Sequence, residues 1–147
     1  TPPARRPSEI CVDVIGIGAG VTDRLAELGL PARGVNVSES PAMGARYTNL
    51  KAELYFLCRE WFETRGCNLA KDKALGKELC AVDYDFSSSG RIQIKNKKSL
   101  AAKGQRSPDL AEAFVLTFAG TAISATHGSK GAISWKTPLK RVLKSLV

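Results

Sequence analysis

The chain has 147 residues, enough for one domain around one core. Apolar residues make up 44% of it and charged residues 24%, which excludes a disordered chain, and the net charge of +8 favours a polyanionic partner such as nucleic acid. No run of about 18 apolar residues and no signal peptide is visible, so neither a membrane partner nor secretion is expected.

In chain order, residues 1–9 read as a linker or a truncated start, with prolines and arginines and no apolar period. Residues 10–15 form an apolar run that predicts a buried strand. Val21, Leu25 and Leu28 then repeat at helical spacing, and Gly29 with Pro31 stops that helix. Residues 34–38 predict a second strand and 39–48 a loop. Asn49 starts a long helix with Leu50, Leu54, Leu57 and Trp61 on one stripe and Gly66 at its end. Residues 72–80 predict a short helix. Residues 82–86 and 91–95 alternate in character around Ser87-Ser88-Ser89-Gly90, which predicts a hairpin. Ser107 can cap the next helix, with Pro108 in its first turn, and that helix is expected to reach about Ala119. Residues 120–147 turn rich in Gly, Ser, Ala and Thr and end in a basic amphipathic tail.

Cys11, Cys58, Cys67 and Cys80 include no CxxC pair, and His127 is the one histidine, so a zinc site is not expected. Cys11 and Cys58 read as small core residues in a reducing compartment. The chemistry rests instead on carboxylates. Asp13 lies within an apolar strand, where a charge is costly unless something pairs with it. It could hold a metal, cap the following helix or pair with an arginine. Asp109 lies in the first turn of its helix, where the dipole alone favours a carboxylate by roughly 0.3–1 kcal/mol. Glu112 follows on the same face, and two like charges there are better accounted for by a cation between them. Such hard oxygen ligands suit Mg²⁺ or Mn²⁺.

The run Gly16-Ile17-Gly18-Ala19-Gly20 has the wrong spacing for a dinucleotide site, because Val21 stands where the third glycine belongs. Its glycines serve either close strand–helix packing or the approach of a DNA backbone to the strand end. Arg91, Lys95, Lys97, Lys98, Lys103 and Arg106 form a run with no acid among them. They read as phosphate contacts or as a solvated charged face.

These segments together resemble a known family. Ile10-Cys11-Val12-Asp13-Val14-Ile15 through Leu25 resembles the second-acid motif of the nuclease domain of phage large terminases. Tyr47-Thr48-Asn49-Leu50-Lys51-Ala52-Glu53-Leu54, with Trp61-Phe62, is similar to the long helix that follows there. Tyr84-Asp85 through Ile92, Lys97, and Ser107-Pro108-Asp109-Leu110-Ala111-Glu112-Ala113 resemble its hairpin and final acid motif. The likeness spans residues 10–119. It implies an α/β, RNase H-like mixed sheet flanked by helices, and two-metal cleavage of concatemeric double-stranded DNA during packaging, in the host cytoplasm. By motif, Asp13 and Asp109 would be catalytic metal ligands, with Glu112 where the family often has Asp. The portal or the small terminase subunit would be a partner. The family's first acid lies on an upstream strand, after a motor ATPase with a Walker motif, and this chain offers neither. The expectation is therefore the C-terminal part of a longer protein, lacking the first strands. A resolvase or transposase of the same fold, or a non-catalytic DNA-binding or partner-binding module, are the competing classes.

Overall fold

The computed structural model describes residues 7–64, 67, 69, 71–95 and 107–120. The elements are β1 (Ile10–Asp13), α1 (Gly18–Glu27), β2 (Ala32–Val35), α2 (Leu50–Glu63), α3 (Lys73–Ala81), β3 (Tyr84–Phe86), β4 (Ile92–Ile94) and α4 (Asp109–Leu116). No helix among them is long and apolar enough to cross a membrane. The expected helix end at Gly66, the tail beyond Gly120 and the start before Pro7 lie outside the described residues.

β1 and β2 pair in parallel, with Asp13 opposite Val35, and α1 forms the connection. The expected strand over 10–15 stops at Asp13, because its Oδ1 accepts the Ile15 N–H at 3.0 Å and turns the chain. One further rung survives, from the Val14 N–H to the Val35 carbonyl at 3.1 Å. β1 is half-buried along its length, not fully buried as the apolar run suggested. β2 starts two residues and ends three residues earlier than expected. Asn36 ends it, with its side chain accepting the Ser38 N–H and its carbonyl accepting the Glu39 N–H.

α1 ends as its glycine predicts. Gly29 has a φ of +68°, and the N–H groups of Gly29 and Leu30 bond back to Ala26 and Leu25. The stripe expected to be buried is largely not. Val21 and Leu28 are exposed, as are Ile15, Ile17 and Leu30, because α1 has β1 and β2 as its main neighbours and no covering layer among the described residues.

The core forms where α2 meets α4. Leu50, Leu54, Tyr55 and Cys58 pack with Val115, Leu116, Ala119 and Val35. Asn49 caps α2 by accepting the Ala52 N–H at 3.0 Å. Asp72 caps α3 in the same way, through the N–H groups of Ala74 and Leu75. A second cluster joins Tyr47, Ala52, Phe56 and Ile92 and ties the hairpin to α2. The hairpin pairs Phe86 with Ile92 and Tyr84 with Ile94, and Gly90 turns it at a φ of +74°.

Two expectations need correction. The described strands do not form one mixed sheet but two two-stranded ladders, one parallel and one antiparallel. The loop strand that could join them contributes one bridge, Tyr47 to Ile92, and no ladder. Ser107 does not cap α4. Pro108 occupies the cap position with no side-chain bond, and the Ala111 N–H is instead taken by Glu78 of α3, at 3.0 Å. That helix also tightens after Leu116, where Thr117 and Phe118 bond back three residues rather than four.

Candidate functional site

Asp13, Asp109 and Glu112 line one cleft of about 230 Å³, together with Val37, Lys51, Leu54, Tyr55, Ala113, Val115 and Leu116. Three elements build it. β1 delivers Asp13 at its C-terminal end, α4 delivers Asp109 and Glu112 from its first turn, and α2 forms the wall opposite. The sequence folds this way because α2 and α4 bury their apolar faces against each other and leave their polar first turns at one rim.

Each carboxylate has a different setting. Asp13 is half-buried and spends Oδ1 on the Ile15 N–H, so it neither caps α1 nor pairs with an arginine through a bond described here. Asp109 is exposed. Glu112 is half-buried, and its Oε1 takes the Lys51 ammonium at 2.7 Å. Tyr55, one turn along α2 from Lys51, is buried, and its hydroxyl has no hydrogen-bond partner among the described residues. Burial first, and then the negative charge of Glu112, push that phenol well above its ordinary range.

The donor set is hard, with carboxylates and no thiol or imidazole in the lining. An orphaned buried hydroxyl beside it is a place for a water or ligand oxygen. By donor type the lining suits a hard divalent cation, with Asp13 and Asp109 as the candidate ligands, while Glu112 is engaged by Lys51. Among the described residues, no three His, Cys, Asp or Glu side chains converge on a single ion position.

The glycine run serves packing at one position. A Cβ on Gly18 would collide with the backbone carbonyl of Asp13, so α1 reaches the end of β1 only with glycine there. Gly20 has open space around it. Cys58 is buried as expected, whereas Cys11 is half-buried and sits against the Glu9–Arg33 ion pair, whose Nε–Oε1 distance is 2.6 Å. Cys11 also packs against the main core cluster, so the core reading holds for it at the edge of that core.

Of the basic run, Arg91 and Lys95 are described, on the hairpin and away from the cleft lining. Arg91 is half-buried and its Nε donates to Ser89, while Lys95 is exposed. Lys97, Lys98, Lys103 and Arg106 lie outside the described residues. Three side chains were not legible as site or support residues: Lys51, Glu78 and Glu53. Glu53 is 2% exposed and its carboxylate accepts the N–H groups of Ala42 and Met43 at 2.8 and 3.1 Å. One local signal exists for Lys51: it stands at i−4 from Tyr55 on the helix face opposite the final acid motif.

The described residues form a small α/β fold of four helices and two two-stranded ladders, and that fold has counterparts among solved structures. The structure is similar to the nuclease domain of large terminase subunit gp2 of bacterial virus Sf6, with a TM-score of 0.61 and 23% identity, over 74% of this chain. The same domain as a lysine-to-alanine mutant with manganese matches equally well, and so does that mutant with calcium. This chain spans about 64% of the length of the manganese-bound domain, and 63% of the calcium-bound one. No protein-family profile and no curated protein matches the chain.

Proposed function

We propose that this chain is part of a divalent-metal-dependent endonuclease of the phage large-terminase kind, cutting concatemeric double-stranded DNA as a viral genome is packaged. The observation that carries this is the meeting of Asp13, Asp109 and Glu112 at one cleft, within a fold shared with nuclease domains that bind manganese and calcium. Asp13 and Asp109 would hold the cation, Mg²⁺ or Mn²⁺, with Glu112 at the margin. A bound ion would supply Lewis-acid charge to a phosphodiester and to a water, and in a two-metal site a second would supply it to the leaving oxygen.

The protein's own groups do the rest. The Ile15 N–H fixes one Asp13 oxygen and so aims the other. Asp109 stands in the first turn of α4, at the positive end of the helix dipole, where a carboxylate is favoured. The Tyr55 hydroxyl can donate to a phosphate or water oxygen in the cleft, and Val37, Leu54 and Val115 limit the water that enters. Arg91, Lys95, Lys97, Lys98, Lys103 and Arg106 act as phosphate contacts that set DNA register without reading sequence. The portal or the small terminase subunit is the expected protein partner, in the infected host's cytoplasm.

A non-catalytic DNA-binding role is the second reading. It draws on the pairing of Glu112 with Lys51 and on the absence of a three-carboxylate cluster among the described residues. Cleavage of linear double-stranded DNA in Mn²⁺ by the intact parent protein, in which the first acid is expected, separates the two. Loss of cleavage in both Asp13→Asn and Asp109→Asn is expected, with folding retained. Cleavage at the wild-type rate by either variant removes that residue from the mechanism, and no cleavage by the unmodified protein favours the second reading.

A further inference from the structure

Four aromatic rings meet where α2 and α4 end, and none of them is buried. Trp61 lies 5.0 Å from Phe62, 6.0 Å from Phe114 and 5.8 Å from Phe118, ring centre to ring centre. Phe114 and Phe118 rest on the core with one side, and Phe62 is 37% exposed. Rings of this size bury area well, so an open cluster of four marks a contact surface. α4 also has no basic residue in its last turn, and none follows in sequence until Lys130. The negative end of that helix therefore lies beside the rings without a cation from its own flank.

The chain carries a segment that suits both features. In sequence, Leu139, Val142, Leu143 and Leu146 stand at i, i+3, i+4 and i+7, the spacing of one apolar helix stripe. Thr137 and Pro138 are residue types that open a helix, at the cap and in the first turn. Lys140, Arg141 and Lys144 fall off the stripe, and residues 121–147 hold no acid. Residues 121–134, rich in Gly, Ser, Ala and Thr, separate this segment from Gly120. A chain of that composition and length reaches roughly 20 Å. Phe118 stands just before Gly120, so the stripe is tethered to the rings it would cover. Tethering raises its local concentration to about the millimolar range and lets a weak contact close.

We propose that the apolar stripe of residues 139–146 docks on the ring cluster of Trp61, Phe62, Phe114 and Phe118 in the same chain. The stripe covers the rings, and the cations that flank it meet the open end of α4 and the solvent. The docked segment straps α2 to α4, the two helices whose first turns supply Lys51, Asp109 and Glu112 to the cleft. Docking of this kind is independent of any metal in the cleft.

Tryptophan fluorescence tests it in the full 147-residue chain, where Trp135→Phe leaves Trp61 as the single emitter. Trp61 should emit at short wavelength and resist acrylamide quenching. Adding Leu139→Asp and Leu143→Asp should shift the emission to longer wavelength and raise the quenching at every protein concentration, with the far-UV circular dichroism of the folded core kept. Emission from Trp135→Phe alone at the wavelength of a water-exposed indole overturns the docking, and so does a signal that the two aspartates leave unchanged. A shift that the aspartates cause only at concentrations where sedimentation shows a dimer assigns the rings to the tail of a second copy and overturns docking within one chain.

Discussion

Glu78 of α3 accepts the backbone N–H of Ala111 in the first turn of α4, at 3.0 Å. The helix that carries Asp109 and Glu112 therefore takes its cap not from its own flanking residues but from a neighbouring helix. Such a bond satisfies one of the donors left open at a helix start and adds a charge favoured by the dipole. It also couples the position of Asp109 to the docking of α3.

Glu78→Ala should lower stability by about 1 kcal/mol, the usual size of a lost N-cap. Glu78→Gln keeps an acceptor and should lose less. Urea denaturation checks the order, and an Ala variant as stable as wild type would show that solvent replaces the cap without cost.

Glu53 is the most deeply buried carboxylate among the described residues, and it holds the loop before α2 through Ala42 and Met43. Glu53→Ala takes the acceptor from the N–H groups of exposed Ala42 and half-buried Met43. A loss of about 3 kcal/mol is expected, towards the upper end for charge-assisted bonds. Thermal unfolding should show Glu53→Gln losing clearly less, because its carbonyl still accepts one of the two.

Gly18→Ala tests the meeting of α1 with the end of β1. The added methyl has backbone in its way, so the helix must shift, at a cost of about 1–3 kcal/mol, and Asp13 shifts with it. Gly20→Ala, in open space, should be neutral or slightly stabilising. Equal stability of the two variants would contradict the close approach.

Burial pushes the Cys58 thiol up to about 11, whereas Cys80 is exposed. Thiolate is the reactive form, so Cys58 reactivity in the folded state should stay negligible at pH 8 and begin to rise only as the pH approaches 11. Iodoacetamide labelling read by mass spectrometry should mark Cys80 first and Cys58 only in denaturant. Equal labelling of the two in the folded protein would contradict the buried position.

Local signals were legible wherever a residue acts on its own neighbours. Asn49 and Asp72 cap the helices that their side chains predict, Gly29 and Gly90 turn where they are needed, and the serine-rich turn closes the hairpin. Where a local side-chain bond competed with the apolar pattern, the pattern misled. Asp13 and Asn36 shortened or shifted the strands by building turns, and α1 kept its stripe without a layer to bury it against. The roles of Lys51 and Glu78 were not legible for a different reason. Their partners lie 61 and 33 residues away, and only the docking of α2, α3 and α4 brings them together. Asp13, Asp109 and Glu112 were singled out because a charge in an apolar strand and a like-charged pair on an apolar helix both ask for a counter-ion.

The central claim is that Asp13 and Asp109 share a divalent cation. Anomalous diffraction at the manganese edge, from crystals soaked in Mn²⁺, tests it most directly. A peak between the two carboxylates, absent in Asp13→Asn and in Asp109→Asn, is the expected result. A cleft without a peak at saturating Mn²⁺, or a peak that survives both substitutions, would contradict the account.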